Sequence, residues 1–384
     1  MRKFITIIIS ATLLLGYFMP IAQAEELVES GESAILMEVA TGRILYEKNP
    51  DMQLEPASMT KMMPMYLILE AIADGRLTWE QELSISENAA SLGGTQIFLE
   101  PGEQMSVRDL FASVAIASAN DSVTALGEAV SGSETAFIEL MNKRASEFGM
   151  INTVFKNSTG LPADGHITTA YDMAILARRL IMDFPEVADF TSMYEDYVRE
   201  DSEEPFWLVN TNKLVRYVEG LDGLKTGYTK AAGYCLAATA KRGDMRVVAV
   251  VMAAEKSELR NREIARLVEH AFAQYELHHR LDAGTVVGTH KNILAANRQI
   301  EVVTASPVSL LVGVGDHLGE ESQEILLYQD ISFPINPGDV VGHLVYYIDG
   351  QVHQEVNLTV AETVDRTSFI TLWMYTLAQL FFGR

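Results

Sequence analysis

The chain has 384 residues, 48% hydrophobic and 21% charged, which excludes a disordered protein and predicts two domains. Its 29 Lys and Arg stand against 52 Asp and Glu, so the net charge of −23 argues against nucleic acid as a partner, because nucleic-acid binding requires cations that neutralise phosphates. A single cysteine, Cys235, excludes an internal disulfide and a thiolate-rich zinc site. The eight histidines show no HExxH or HxH spacing, and we predict no metal and no cofactor.

The first 24 residues predict a secretory signal peptide. Basic residues at positions 2 and 3 precede an apolar run over 4–19, and Ala22-Gln23-Ala24 has the small-x-small form of a cleavage site. The alternative is an uncleaved membrane anchor, because the apolar run is almost long enough to span a bilayer. In either case we expect residues 25–384 to be exported from the cytoplasm.

Residues 25–278 mix short strands with longer helices. One hairpin is predicted from 33–39 and 43–46, and a second from 235–240 and 245–251. Helical periodicity marks residues 59–73, 107–130, 133–148 and 264–278. Strands at both ends with helices between them predict an α+β domain whose sheet is closed by its own first and last strands.

The pattern changes after residue 278 and predicts a small all-β domain over 279–363. Asp349-Gly350 predicts a two-residue hairpin turn between two of its strands. The β-type runs cover residues 299–303, 308–312, 325–328, 340–347 and 352–360.

Residues 364–384 predict an amphipathic helix that attaches the protein to a membrane surface. Only three of the fourteen residues from Phe369 to Phe382 are polar. The segment is too short to span a bilayer but suits an interfacial helix, with Trp373 and Arg384 near the headgroups. The alternative is a helix packed on the protein core.

Ser58-Met59-Thr60-Lys61 opens the first long helix and is the first candidate for chemistry. A Ser and a Lys three residues apart share a helix face, so the amine can reach the hydroxyl. Serine needs a base to become a nucleophile, and lysine can be that base only if burial or another cation lowers its pKa. The alternative is that Ser58 only caps the helix.

Lys225-Thr226-Gly227 is the second candidate. Its lysine can supply the second cation, its threonine can donate to a substrate carboxylate, and its glycine can let a substrate backbone approach the strand. The alternative is a solvated turn.

Ser118-Ala119-Asn120 is the third candidate and lies between the other two. The hydroxyl can relay a proton to a leaving group, and the amide can hold a substrate backbone. Ser86-Glu87-Asn88 has the same form, but it lies 28 residues after Ser58 in a segment predicted to be a loop, and we set it aside.

The three motifs occur in the order typical of β-lactamases and penicillin-binding proteins. Over essentially the whole mature length, the chain resembles the serine D-alanyl-D-alanine carboxypeptidases, the low-molecular-weight penicillin-binding proteins. Further segments carry the resemblance: residues 56–62, Gly160-Leu161 with His166, Ala170-x-Asp172-Met173-Ala174 and residues 222–229.

The resemblance implies a penicillin-binding catalytic fold, a following β domain and an amphipathic membrane helix. It implies removal of the terminal D-alanine from peptidoglycan pentapeptide stems, and β-lactam antibiotics as covalent inhibitors. The expected location is the periplasmic or extracytoplasmic face of the cytoplasmic membrane, with peripheral attachment.

The resemblance also implies roles for single residues. Ser58 would be acylated with Lys61 as its base, and Ser118 and Asn120 would form the second wall of the site. Lys225 and Thr226 would bind the substrate carboxylate. The oxyanion would lie between the backbone N–H groups of Ser58 and Tyr228.

Two positions depart from the family. Pro64 falls inside the predicted helix after Ser58, where loss of a hydrogen bond can kink the helix and shift Lys61. Some relatives have an arginine at the position of Thr211 in Asn210-Thr211-Asn212, so a cation is missing here unless Lys213 replaces it.

Three further features have plain structural interpretations. The acidic run over 195–204 predicts a solvated loop. His166 is interpreted as structural rather than catalytic, and Cys235 as a buried small hydrophobic residue.

Other functions remain open. A serine β-lactamase shares the motifs, but the segment between Ser118 and Lys225 lacks the Glu-x-x-x-Asn pattern expected of class A enzymes. A D,D-endopeptidase that cuts crosslinks is a closer alternative. A non-catalytic peptidoglycan-binding scaffold is a third, disfavoured because Ser58 and Lys61 are both present.

Overall fold

The computed structural model describes residues 26–200, 202 and 204–382. The predicted signal peptide over 1–24 lies outside the described residues, and so does Arg384.

The N-terminal domain combines helices with strands, as predicted for an α+β fold. Its elements in chain order are β1 (Ser33–Glu38), β2 (Ile44–Lys48), a 3₁₀ helix (Ala57–Lys61), α1 (Met62–Ala73), β3 (Glu82–Ser84), α2 (Glu87–Ala90), β4 (Gln104–Ser106), α3 (Val107–Ala112), a π-helical turn (Ser113–Ala117), α4 (Asn120–Ser131), α5 (Glu134–Glu147), α6 (Ala170–Asp183), α7 (Val187–Thr191), β5 (Glu195–Val198), β6 (Phe206–Val209), a 3₁₀ helix (Lys213–Arg216), β7 (Leu221–Thr229), β8 (Gly233–Arg242), β9 (Met245–Ala254), α8 (Ser257–Gln274) and β10 (Tyr275–Leu281).

A five-stranded antiparallel sheet in the order β2-β1-β9-β8-β7 forms the centre of this domain. The first strand pairs with β9 from Ser33↔Met252 to Glu38↔Val247, so the two ends of the domain meet in the sheet as predicted. Alternate side chains of β1 enter two different apolar cores, because successive strand residues face opposite sides. One core lies under α1, α4 and α6, and the other lies under α8.

Two helix predictions are wrong in part, and one long helix was missed. The expected helix over 107–130 is interrupted between the π-helical turn and α4, where Ser118 has a left-handed backbone with φ +71°. Helix α6 was not predicted at all. The expected helix over 264–278 begins earlier, at Ser257, and ends at Gln274, because the following residues form β10 and pair with a strand of the next domain.

The acidic run over 195–204 is a strand for its first four residues, and the prediction of a solvated loop is wrong there. Strand β5 pairs with β6 as an antiparallel ribbon. Val198 and Leu208 on one face are buried, while Tyr197 and Trp207 on the other are about half exposed. Pairing with the wholly apolar strand β6 therefore outweighed the local density of carboxylates.

The C-terminal domain is all-β, as predicted, and one of its strands, β11, was missed. Its strands are β11 (Val286–Lys291), β12 (Gln299–Thr304), β13 (Val308–Gly313), β14 (Glu321–Leu327), β15 (Gly342–Ile348) and β16 (Gln351–Thr359). Five of them form a sheet in the order β11-β12-β16-β15-β14, and β13 pairs with β10. The predicted turn is confirmed, since Ile348 pairs with Gln351 and both Asp349 and Gly350 have positive φ.

The predicted C-terminal helix is present as α9 (Phe369–Phe382). Large apolar side chains on it are exposed, among them Phe369 at 81% and Phe381 at 76%. No helix in the described part of the chain combines the length and apolarity needed to cross a bilayer.

Candidate active site

Ser58 lies on the short 3₁₀ helix that precedes α1 and beside the edge strand β7. Its neighbour Ala57 has a positive φ of +47°, an uncommon backbone for alanine. Gly227 on β7 approaches so closely that an added Cβ would lie 2.8 Å from Pro56 O and 3.2 Å from Met59 N. The predicted need for glycine at this position therefore comes from the strand's contact with the segment that carries Ser58.

Lys61 is fully buried and contacts the hydroxyl of Ser58. Its Nζ lies 3.1 Å from Ser58 Oγ, 2.7 Å from Asn120 Oδ1 and 2.6 Å from Thr159 O. Burial, and then the charge of Lys225, lower the pKa of Lys61 well below its usual value, against a smaller opposing effect of Asp121.

An ammonium group at Lys61 would donate to all three oxygens, and an uncharged amine can make the same three contacts by donating to two of them and accepting from Ser58 Oγ. Asn120 Oδ1 and Thr159 O can only accept, and they take the two N–H bonds of a neutral –NH₂ group. The Asn120 amide is oriented by its other end, because Nδ2 donates to Gly93 O at 2.7 Å. In the uncharged state, the remaining lone pair of Lys61 faces Ser58 Oγ, which can donate.

Pro64 does not displace Lys61, contrary to the concern raised by the sequence. The segment before it is a 3₁₀ helix that ends at Lys61, so Pro64 falls in the first turn of α1. A first turn tolerates proline because its N–H groups have no intrahelical acceptor.

Ser118 and Asn120 lie at the break between the π-helical turn and α4, and Asn120 is the one with a hydrogen bond to Lys61 among the described contacts. Ser118 is 4% exposed, and the Asn120 N–H donates to Thr95 O at 2.7 Å. Asp121 anchors the turn, since its buried carboxylate accepts from the N–H of Ile97 at 3.0 Å and of Ser122 at 2.9 Å. The competing Ser86-Glu87-Asn88 match is not in a loop, because Ser86 caps α2 through its hydroxyl.

Lys225, Thr226 and Tyr228 lie on β7, so the alternative of a solvated turn is wrong. Lys225 is 1% exposed, and burial followed by the charge of Arg260 lowers its pKa to about 7. Thr226 is nearly buried and donates to Thr211 Oγ1 at 2.7 Å. Tyr228 is 56% exposed and its ring stacks on that of Tyr234.

The Asn210-Thr211-Asn212 segment lies beside β7 and is hydrogen-bonded to it. Asn210 Nδ2 donates to Thr191 O, and Asn212 Nδ2 donates to Gly223 O at 3.2 Å. The hydroxyl of Thr211 therefore stands next to that of Thr226. Lys213 Nζ lies 5.0 Å from the ring centroid of Tyr194.

Four residues of the site were not predicted as such. Thr159 contributes only a backbone carbonyl, and no side-chain motif marks it. Gly160 has φ +81°, and an added Cβ would lie 1.9 Å from Ala57 O, so only glycine fits there. The last two, Asp121 and Arg260, act on the cleft from α4 and α8, and their role depends on packing between distant segments.

His166 and Cys235 have the structural placements expected from the sequence. The Nδ1 of His166 accepts from the Lys156 N–H, which leaves Nε2 to donate to Thr60 Oγ1 at 2.9 Å. Burial and the charge of Lys156 lower the pKa of His166 to about 4. Cys235 is fully buried, and burial raises the pKa of its thiol to about 11.

The cleft brings Ser58, Lys61, Asn120 and the β7 residues together around one hydroxyl. Among the described residues, no group of three or more His, Cys, Asp or Glu side chains is arranged to hold a metal ion. A serine hydroxyl beside a buried lysine of lowered pKa can attack an acyl carbon without an additional base. The class defined by this fold and site is that of serine enzymes with a Ser–Lys pair.

Comparison with known proteins identifies the family. The chain belongs to the D-alanyl-D-alanine carboxypeptidase family, whose sequence model matches residues 21–256. A second model, described as the C-terminal domain of penicillin-binding protein 5, matches residues 275–366. The chain is 43% identical over 355 residues to the D-alanyl-D-alanine carboxypeptidase DacF of Bacillus subtilis, covering 92% of this chain and 91% of that protein.

Solved structures agree with this assignment. Penicillin-binding protein 5 from Haemophilus influenzae superposes with a TM-score of 0.72 at 30% identity, covering 88% of this chain and 98% of that one. The ampicillin-bound form of penicillin-binding protein D2 from Listeria monocytogenes has a TM-score of 0.57 at 35% identity, covering 63% of this chain and 98% of that one. The fold is therefore a penicillin-binding catalytic domain followed by a β domain and a C-terminal helix.

Proposed function

We propose that this serine hydrolase removes the terminal D-alanine from peptidoglycan pentapeptide stems through an acyl-enzyme on Ser58. The observation that carries the proposal is the position of Lys61 Nζ, 3.1 Å from Ser58 Oγ, with two oxygens that can only accept, Asn120 Oδ1 and Thr159 O, as its other partners. An amine held in this way has a lone pair free for the serine proton.

Acylation begins when Lys61 takes the proton of Ser58 and Oγ attacks the carbonyl carbon of the penultimate D-alanine. The oxyanion accepts from the backbone N–H groups of Ser58 and Tyr228, which the close approach of Gly227 brings to one side of the cleft. The C–N bond then breaks, and the departing amine receives the proton from Lys61 through the Ser118 hydroxyl.

Deacylation uses a water molecule and the same base. The water attacks the ester carbon while its proton passes to Lys61, and the Ser58 hydroxyl is regenerated as the shortened stem leaves.

The terminal D-alanine of the substrate is recognised by its carboxylate, which Lys225 binds by charge and Thr226 by a hydrogen bond. When Thr226 donates to the carboxylate, its single O–H turns away from Thr211, and the Thr211 hydroxyl can then donate to Thr226 Oγ1.

β-Lactams act as covalent inhibitors at the same serine in this proposal. The strained lactam amide takes the place of the D-alanyl-D-alanine amide, so Ser58 Oγ opens the ring and forms an ester. The relative from Listeria monocytogenes described with ampicillin bound supports this chemistry for the shared catalytic fold.

The direct test is release of D-alanine from a soluble pentapeptide by the purified chain lacking residues 1–24, beside Ser58→Ala. We expect D-alanine release by the wild type and none by the variant. Rapid hydrolysis of penicillin without D-alanine release would favour a β-lactamase. Absence of both reactions would leave a peptidoglycan-binding scaffold.

We also propose that the protein is exported and held at the extracytoplasmic membrane surface by α9. The exposed side chains of Phe369, Ile370, Trp373 and Met374 supply apolar area for insertion between headgroups. The chain is strongly acidic, so attachment to an anionic leaflet is hydrophobic rather than electrostatic. Detergent but not high salt should release the full chain from membranes, and deletion of residues 369–384 should abolish binding; release by salt alone would contradict this.

A further inference from the structure

We propose that Phe98 is a specificity-determining residue that contacts the aliphatic chain of the stem residue preceding the two D-alanines. This inference rests on the proposed function, since it concerns the acyl side of the same substrate. It combines two observations, a backbone clamp around Phe98 and the exposure of its ring.

The backbone around Phe98 is held from two sides. On one side the Asp121 carboxylate accepts from the N–H groups of Ile97 at 3.0 Å and Leu99 at 3.2 Å. On the other side the Arg199 guanidinium donates to Ile97 O at 2.9 Å and to Phe98 O at 3.4 Å. Arg199 is itself fixed by a 2.6 Å ion pair with Glu103.

The clamp holds Phe98 in a conformation that is unfavourable for phenylalanine. Its φ is +56°, in the left-handed region that glycine and asparagine adopt far more readily. The side chains of Ile97 and Leu99 are buried, whereas that of Phe98 is 65% exposed. An aromatic ring is thus displayed to solvent on a strained backbone, and such strain concentrates at functional sites.

The loop that carries Phe98 is part of the cleft wall. The backbone N–H of Asn120 donates to Thr95 O and its Nδ2 donates to Gly93 O, both at 2.7 Å. Gly94 lies so close that an added Cβ would be 2.8 Å from Asn120 Nδ2. The residues just before Phe98 therefore line the Asn120 side of the cleft.

The two sides of the cleft bind different parts of the substrate in the proposed mechanism. The leaving D-alanine carboxylate is bound on β7 by Lys225 and Thr226, so the Asn120 side faces the acyl part. Phe98 follows the residues of this side along the chain, three residues after Thr95. The ring is apolar and largely exposed, which suits contact with the aliphatic chain of a stem residue at this edge of the cleft.

Phe98 also touches Phe206 of the β5–β6 ribbon, with ring centroids 6.1 Å apart. A purely structural role would be to pack against that ribbon. The two roles predict different effects of substitution, because loss of the packing contact would change the rate with every ligand equally. Loss of a substrate contact would change the rate only with ligands that reach Phe98.

The test compares ligands that differ only in the acyl substituent. Acylation rate constants are measured for benzylpenicillin and for 6-acetamidopenicillanic acid, in which a methyl group replaces the benzyl group. D-Alanine release is measured from N-acetyl-L-lysyl-D-alanyl-D-alanine and from its glycyl counterpart. The variants are Phe98→Gly and Phe98→Asn, which keep the left-handed backbone, and Val352→Ala, which removes an exposed apolar side chain from the C-terminal domain.

For both Phe98 variants, we expect the acylation rate constant with benzylpenicillin and the rate of D-alanine release from the lysyl peptide to fall about tenfold. This is the equivalent of about 1.4 kcal/mol. The rates with the acetamido penicillin and the glycyl peptide should change less than twofold, and Val352→Ala should match the wild type with every ligand. Equal losses on all ligands, or no loss, would overturn the role of Phe98 while leaving the proposed function intact. Failure of the wild type with every ligand would instead overturn the proposed function and the inference with it.

Discussion

The two domains bury very different side chains. The core of the C-terminal domain is formed by aliphatic residues, and its buried polar residues among those described are Thr304, Ser309 and Thr359. The catalytic domain buries a series of charged residues: Glu38, Lys61, Asp121, Asp172, Lys225, Arg260 and Glu263.

This difference indicates where the molecule gives up stability for chemistry. Burying an ionisable group is costly unless a charged partner and hydrogen bonds compensate. Lys61 is hydrogen-bonded to neutral oxygens only, and the largest effect of a neighbouring charge on its pKa comes from another lysine, Lys225. Such an arrangement lowers the pKa of Lys61, which is the property that a serine-activating base needs.

Replacing Lys61 by methionine should have the largest effect on activity. The variant keeps the volume of the side chain but has no base, so acylation by benzylpenicillin should fall about a thousandfold. The matched control is Lys291→Met, which removes an exposed lysine of β11 and should leave the rate unchanged. Stopped-flow or quenched acylation kinetics would measure both; an unchanged rate in Lys61→Met would show that another group activates Ser58.

The same glycine-to-alanine substitution, made once in each domain, compares how well the two domains tolerate a Cβ on a left-handed backbone. Gly160 and Gly284 have similar left-handed backbones, with φ of +81° and +78°. A Cβ at Gly160 would meet Ala57 O at 1.9 Å, whereas at Gly284 nothing lies within 4 Å. We expect about 3 kcal/mol of destabilisation and at least tenfold slower acylation for Gly160→Ala, against about 1 kcal/mol and an unchanged rate for Gly284→Ala.

Thermal unfolding and acylation rates, measured on the same preparations, would test this pair. Equal destabilisation by the two substitutions would mean that the backbone of Ala57 can move away from residue 160, and that the nucleophile segment is less constrained than the structure indicates.

Replacing Lys225 by methionine should move the pH dependence of acylation. The proposed base works unprotonated, so the rate falls as the pH drops through the pKa of Lys61. The charge of Lys225 lowers that pKa, and its removal should shift the acidic limb to higher pH. The variant should also lose roughly tenfold to a hundredfold in kcat/KM for a peptide, because the substrate carboxylate loses a charged donor.

The pH profiles of wild type and Lys225→Met would be recorded with the same penicillin. A loss of rate without a shift of the acidic limb would mean that Lys225 binds the carboxylate but does not tune Lys61.

Replacing His166 by asparagine should have a smaller effect, on stability rather than on rate. Burial lowers the pKa of His166 from 6.5 to about 4, so the unfolded chain binds a proton more readily between these values. Its contribution is fully present above pH 6.5 and is lost as the pH falls toward 4, by about 3 kcal/mol at most. His166→Asn should flatten this dependence in thermal unfolding, and His290→Asn, at an exposed position of the β domain, should not.

The sequence predicted the contact between Ser58 and Lys61 and four of the five strands of the central sheet, but not β7. Ser58 and Lys61, three residues apart, are joined by local helical geometry, and the hairpins of the sheet follow from alternation and turn residues. The sequence did not predict Thr159, Asp121 or Arg260 as parts of the site, because each acts through contacts between segments distant in the chain. The left-handed Ser118 interrupts a pattern that is helical on both sides, so periodicity alone predicted one continuous helix.

The most direct test of the account is the intact mass of residues 25–365 after incubation with benzylpenicillin, beside Ser58→Ala, with peptide mapping of any adduct. We predict that the wild type gains the mass of one penicillin, on the peptide that contains Ser58, and that the variant gains none. An adduct that persists in Ser58→Ala, or a wild type that gains no mass, would contradict the assignment of Ser58 as the nucleophile.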